Sequence, residues 1–304
     1  MGGASLGENG VARAKAFCNI FILWVILWGT TMVYASSFED QGMVEGFGLG
    51  YALTAMPHSL DAANKNPALL STIEHPSIGL TDANTFDSSA SLVAFSAAKP
   101  MSFGTVGLFI PIRTVSDIPE TKEEGSKGVQ VGTLTDREAD IKVGLSRDIG
   151  KNATFGVASA YHSHMLYNES ASGYSVDVGG TYSGSFWRIG ASITDLVNDL
   201  LWSTGKSEKS PLLKHAGLSV DLSKNAKISM DGDYNKSHVN VNLGINWKPS
   251  EYMDVVMGLK DALQQDRNLR IGINLRLLGA KFSYAMSDSI ELGVTHKAGV
   301  VIEL

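Results

Sequence analysis

The chain has 304 residues, of which 18% are charged and 44% hydrophobic, and its formal net charge is −6. That balance is too polar for a bundle of membrane helices, and no basic block is long enough to track phosphates, so nucleic acid is excluded as an expected partner. Glycine is abundant at 32 residues and proline scarce at 8, which suits many strands joined by tight turns.

In chain order the first feature is an export signal. Arg13 and Lys15 precede an apolar run from Ala16 to Gly29, and Val33 and Ala35 are small residues ahead of Ser36. This is the charged, apolar, small-residue order of a secretory signal peptide over residues 1–35, with cleavage expected after Ala35. The alternative, an uncleaved anchor helix, is disfavoured because the apolar core is short for a span. The single cysteine, Cys18, lies inside the apolar run, so thiol catalysis, zinc–thiolate sites and disulfides are excluded from the exported chain. A closed barrel, with every backbone pair satisfied, is one device that holds such a chain together.

Residues 36–76 show no strand alternation. They are rich in small residues, and the piece NKNPALL, Asn64 to Leu70, opens with turn chemistry, because the residue before a proline is pushed out of the helical region.

From Ser77 onward the chain alternates. In HVNVNLGINWK, Val239, Val241, Leu243, Ile245 and Trp247 share one parity while Asn240, Asn242, Gly244, Asn246 and Lys248 share the other. A strand points successive side chains to opposite faces, so this segment has one apolar and one polar face. About fourteen such runs follow one another, near 77–86, 89–98, 102–112, 138–148, 153–165, 172–182, 185–195, 213–222, 225–235, 238–248, 252–260, 267–277, 280–286 and 290–304. Nine to eleven residues is the length a tilted strand needs to cross a bilayer, and an even number of strands is what a single-chain barrel requires. Links after even-numbered runs are short (AKPM, IGKN, SG, SKN, PSE, LG), whereas the long links 113–137 and 196–212 follow odd-numbered runs. Barrels of the bacterial outer membrane have short periplasmic turns and longer outer loops, so the parity predicts an antiparallel transmembrane β-barrel over 77–304, with those two links facing outward as loops. A secreted soluble β-sandwich is the competing architecture.

Chemistry-bearing clusters are few. No nucleophile elbow, phosphate loop or helical metal motif occurs, so no catalysis, cofactor or metal site is expected. His162 and His164, two apart on one strand, both face the predicted lumen; they could share a metal, but no third ligand can be placed, and plain lumen lining is the expected role. Arg270, Asn274 and Arg276 share the lumen parity of their run, as do Lys227, Asp231 and Asp233 of theirs, and paired lumen charges are expected to stabilise a filled barrel.

The segment GLGYALTAMPHSLDAANKNPALLS resembles the N-terminal signature of the FadL-like outer-membrane superfamily, and its PorV/PorQ branch in particular, with Asp61, Ala62, Asn66, Pro67, Ala68 and Leu69 at the matching positions. The closing LGVTHKAGVVIEL, with Leu292, Gly293, Thr295 and His296, is similar to that branch's ending, although Leu304 stands where a terminal aromatic is usual. The resemblance implies an outer-membrane location, a fourteen-stranded barrel and a short hatch, residues 36–76, folded into its lumen. It further implies a hydrophobic site gated by the hatch and a sideways exit beside a kinked third strand, for which Gly104, Gly107 and Pro111 are candidates; a strand-end proline leading into the 113–137 loop is the alternative. Two functions stay open: passage of a hydrophobic small-molecule ligand, and docking of a secretion-system protein partner through the outer loops. Outer-membrane lipid is the expected surrounding in both.

Overall fold

The computed structural model describes residues 42–124, 127–209, 212–235, 238–264, 267–289 and 293–304; the expected signal peptide, the first residues of the hatch and Leu292 of the closing motif lie outside them. The strands are β1 (Ser77–Thr85), β2 (Ala90–Met101), β3 (Gly104–Glu124), β4 (Lys127–Ile149), β5 (Ala153–Leu166), β6 (Glu169–Ser183), β7 (Trp187–Thr194), β8 (Asn198–Trp202), β9 (Ser207–Glu208), β10 (Leu213–Ser223), β11 (Ala226–Asn235), β12 (His238–Ser250), β13 (Met253–Lys260), β14 (Asn268–Leu277), β15 (Ala280–Ser289) and β16 (Gly293–Glu303). All pairings are antiparallel, and β1 pairs with both β2 and β16, as in Ile78↔Ile302, so the sheet closes on itself. Fourteen strands form the ring; β7 pairs directly with β10, and β8 with β9 forms a flap laid against the outer half of β6. Closure brings the ends of the barrel chain together, with the Leu304 amide donating to the Pro76 carbonyl at 2.7 Å.

Alternation decides between barrel and sandwich. In β1 the residues Ser77, Gly79, Thr81, Ala83 and Thr85 are buried while Ile78 and Leu80 are exposed. In β12 Leu243, Ile245 and Trp247 are 38 to 49% exposed, whereas Asn242 and Asn246 are buried. A sandwich would bury the apolar parity against a second sheet; here the polar parity is the inner one, which is the arrangement of a transmembrane barrel. Turns at 102–103, 150–152, 184–186, 224–225, 251–252 and 278–279 gather at the end where the chain enters and leaves the barrel, as the expected short links do.

Two expected loops are not loops. β3 and β4 continue into 113–137, and because β2 stops pairing at Val115 and β5 at Asp136, residues 116–124 of β3 and 127–135 of β4 form a two-stranded ribbon beyond the ring, bonded to it at the base where the Tyr167 amide donates to the Thr135 carbonyl. Its described residues are exposed or half-buried on both faces, so beyond Val129 and Val131 they carry little apolar alternation that marks them as strand. The 196–212 link contains β8 and β9. Pro111 also lies within β3 and not at its end.

Inside the barrel sits the hatch: helix α1 (Val44–Gly48), helix α2 (Ala62–Lys65) and a 3-10 turn, Pro67–Thr72. Its apolar side chains make the main core, where Val44, Phe47, Leu49, Leu53 and Leu69 cluster with Val256 and Ala285 of the wall. The barrel therefore has its hydrophobic core in the plug, and its walls are polar towards it.

Candidate functional site

The predicted hatch motif is the point where plug and wall lock. Asn66 is fully buried; its Oδ1 accepts from the Ala68 amide at 3.1 Å, capping the 3-10 turn, while Nδ2 donates to the Thr54 carbonyl at 2.8 Å and the Gly180 carbonyl at 3.3 Å. Pro67 follows at the first position of that turn, where its missing N–H is no loss. The wall makes room by omission: a Cβ on Gly179 would lie 2.1 Å from Asn66 Oδ1, and one on Gly156 would lie 2.3 Å from the Pro67 carbonyl carbon. Ser146 Oγ completes the clamp by donating to the Ala68 carbonyl at 2.8 Å.

Asp61, the other motif residue, is buried against Gly42 and Gly46, facing Lys297, whose ammonium bonds the Gly42 carbonyl at 2.9 Å and the Tyr51 hydroxyl at 3.1 Å. Burial pushes the Asp61 carboxyl up to about 6, against the downward pull of Lys297.

On the opposite wall, Asp231 Oδ2 accepts from the amides of Leu53 and Thr54 at 2.8 and 2.7 Å and from Thr54 Oγ1 at 2.7 Å, gripping the hatch loop. Lys65 of the hatch reaches back to Asp233 at 2.9 Å and Asp231 at 3.1 Å, and Asp233 is held by His215 and Asn242, both at 2.7 Å. Lys142 pairs with Asp177 at 2.7 Å and bonds the Asn64 carbonyl. The parity of Asp231 and Asp233 was legible in the sequence. Lys65, Lys142, His215 and Lys297 occupy no motif position; for the three wall residues, the signal is a cation or imidazole on a lumen parity.

The remaining predicted residues fall into separate clusters. His162 and His164 share a face but bond different aspartates: His162 bonds Asp140 at 2.7 Å and Ser175 at 2.8 Å, while His164 bonds Asp136 at 2.6 Å. Donor atoms of Asp136, Glu138 and His164 do lie within 4.8 Å of one another, yet the Arg113 guanidinium already meets both carboxylates, at 3.4 and 3.0 Å. Arg270 is buried over the rings of Phe47 and Tyr51, 4.3 and 5.0 Å from their centres, so it supports the plug through cation–π contact. Asn274 is buried beside its cross-strand partner Asp254, which receives both Nη atoms of Arg276 at 2.9 and 2.6 Å.

Of the strand-three candidates, Gly107 gives space to the plug, since a Cβ there would lie 2.3 Å from Leu70. Gly104 has φ +147 and its Cβ would meet the Ser146 carbonyl, so it shapes the start of the strand. Pro111 alone coincides with a defect: the β3–β4 ladder pairs Phe109↔Lys142 and resumes at Ile112↔Ala139, with no pairing at Ile110 or Pro111, while the β2 side is continuous. A proline supplies no ladder donor.

The plug divides the lumen into two spaces. A vestibule of about 820 Å³ opens at the short-turn end, lined among others by Met43, Glu45, His58, Arg276 and Lys281. A chamber of about 130 Å³ lies towards the loop end, lined by Tyr51, Leu53, Phe109, Pro111 and Leu213 together with His162, Lys65 and Asp195. Asp61 borders both.

A closed fourteen-stranded antiparallel barrel, apolar outside and plugged inside by its own N-terminal segment, is the class of protein these features define. No protein-family model matches the chain, and no curated protein matches it. Among solved structures it is similar to the toluene transporter TodX of Pseudomonas putida, with a TM-score of 0.63 and 13% identity over 88% of this chain and 99% of that one. It is similar too to the toluene transporter TbuX of Ralstonia pickettii, with a TM-score of 0.58 and 13% identity over 87% of this chain and 98% of that one. At this identity the likeness is one of fold, and it covers nearly the whole of both transporters.

Proposed function

We propose that this protein is an outer-membrane channel of the FadL-like kind, exported by residues 1–35, plugged by 36–76 and spanning the bilayer with 77–304. It passes a small, mainly hydrophobic molecule that carries a polar substituent, and no catalytic step takes part. The observation that carries the reading is the loop-end chamber bordered by Pro111 at the gap in the β3–β4 ladder. Its volume, about 130 Å³, is close to the cavity of about 150 Å³ that accommodates benzene in an engineered protein core. Phe109, Pro111, Leu53 and Leu213 supply apolar contact, and His162 and Lys65 can orient one polar group. The axial route is blocked by the plug's bonds to the wall, which supports a sideways exit through the interrupted ladder. The apolar outer face supports the membrane location, and the fold shared with two toluene transporters supports a hydrophobic cargo.

The test is uptake of radiolabelled benzyl alcohol by a porin-poor bacterial host expressing the full chain. Pro111→Val restores a ladder donor and is expected to abolish the uptake gained over the empty host while leaving barrel assembly intact; unchanged uptake would refute the sideways route.

The ribbon 116–135 favours a second reading, closer to the PorV/PorQ branch, in which the barrel docks an exported protein. Nine residues of each strand extend roughly 30 Å beyond the ring, with both edges open to pairing. Co-purification of a polypeptide that is lost when the ribbon is deleted is the outcome that distinguishes it.

A further inference from the structure

The outer face of the barrel is not uniformly bulky. Gly180 on β6, Ala191 on β7, Ala216 on β10 and Gly232 on β11 are successive cross-strand partners, and their sequence neighbours Gly179, Ser192, His215 and Asp231 are the buried, inward ones. One residue pair towards the loops lies a bulkier row, Val178, Ile193, Lys214, Tyr234 and Val239. On the short-turn side lies another, Tyr182, Ile189, Leu218, Met230 and Leu243, and Phe155 closes one end as the partner of Gly180. The loop-side row, the small-residue row and Phe155 line an apolar groove of about 490 Å³ on the outside of the barrel, away from Pro111 and the lumen chamber.

One feature of the groove is out of keeping with a purely hydrocarbon surrounding. Lys214 stands in the upper row, exposed, with its ammonium 5.6 Å from the centre of the Tyr234 ring. It is the second residue of β10, and Tyr234 is the penultimate residue of β11, so both sit at the loop end of the wall, where lysine and tyrosine side chains reach lipid headgroups. An ammonium on an outward face is costly in hydrocarbon and favourable beside an anion. Charge at one edge and a smooth apolar trough below it match an amphiphile with an anionic head and a chain.

We propose that this groove binds one phosphate-bearing lipid of the outward-facing leaflet, with its phosphate at Lys214 and an acyl chain lying over the Gly180–Ala191–Ala216–Gly232 row. The row spans three strand spacings, roughly 14 Å, and because barrel strands tilt by about 35–45° it runs obliquely into the bilayer, not flat across it. The small side chains let the chain approach the sheet closely, while Ile193 and Phe155 flank it. This proposal rests on the outer-membrane reading above.

The full chain is inserted into vesicles of phosphatidylcholine containing a minor fraction of phosphatidylglycerol, and native mass spectrometry counts the lipids retained on the released barrel. The expected result is phosphatidylglycerol on the wild type in excess of its share of the bilayer. Lys214→Gln returns that ratio to the bilayer's own, and Ala216→Phe, which fills the trough, lowers the retained lipid altogether; neither change touches the lumen. Equal retention by wild type and both variants overturns the proposal, as does a wild type released as two copies that Ala216→Phe separates, since the groove would then hold a second barrel. A chain that inserts normally but shows no bias overturns this inference alone, and one that fails to insert overturns the membrane reading with it.

Discussion

Truncating Asn66 to alanine tests whether the hatch is a seated plug. The side chain is fully buried and makes three bonds: the cap on the Ala68 amide, the tie to the Thr54 carbonyl and the longer contact to the Gly180 carbonyl. Loss of a cap costs about 1 kcal/mol, an orphaned buried carbonyl about 1 kcal/mol more, and the space left by the amide about another 1 kcal/mol. The total, about 3 kcal/mol, corresponds to roughly a hundredfold increase in the population of the unseated hatch. Hydrogen exchange followed by mass spectrometry on the full chain in lipid vesicles reads this directly. Amides of 62–72 and 53–55 are expected to exchange roughly a hundredfold faster in Asn66→Ala, with β14 and β15 unchanged. Acceleration of less than about threefold, or an equal change throughout the barrel, would refute the idea that Asn66 locks a locally cooperative plug.

Asp61 makes the same opening depend on pH. Its carboxyl holds a proton up to about pH 6 in the seated hatch and only to 3.8 when free, so its stabilising contribution is complete below 3.8 and disappears as pH rises through 6. Between pH 5 and 7.5 the hatch should loosen by on the order of 1 kcal/mol beyond the intrinsic pH effect on exchange, and Asp61→Asn should flatten that dependence. Gly179→Val places a side chain where even a Cβ would lie 2.1 Å from Asn66 Oδ1, so the plug should be displaced and steady ion conductance should appear in planar bilayers where the wild type is closed. Deleting 116–135 and joining Val115 to Asp136 by a short turn removes residues that, apart from the Thr135 carbonyl bonded by the Tyr167 amide, pair with one another; the barrel's urea midpoint should shift by no more than about 0.5 kcal/mol equivalent.

How far the sequence foretells this structure depends on whether a segment has two different faces. The ring strands do, because hydrocarbon and a polar lumen impose period two, and the runs around Leu243 and Ile271 announce themselves. The described residues of the ribbon 116–135 are exposed or half-buried on both faces, so Asp117, Glu120 and Lys122 read as loop although they lie in strand β3. The hatch motif at Asp61 and Asn66 was visible as a resemblance and as turn chemistry, but its partners were not. Lys65 meets Asp233 across 168 residues, and no local pattern encodes a pairing made by seating the plug against a distant strand. His162 and His164 show the limit of spacing as a guide: their side chains share a face, yet neighbours on β4 and β6 claim each one separately.

The wall holds the plug chiefly by its main chain. Ser146 bonds the Ala68 carbonyl, Ser192 that of Lys65, Ser219 that of Ala55, Lys142 that of Asn64 and Lys297 that of Gly42. A socket that grips a backbone trace is largely indifferent to which residues carry the trace, apart from the few, such as Asn66 and Asp61, that the contacts specify. Plug side chains that line the two chambers outside the core, Glu74 and His75 at the vestibule and Asn64 at the other, can thus be exchanged without unseating the segment. The scaffold can acquire a new cargo preference by rewriting the lining of its stopper while the docking remains the same.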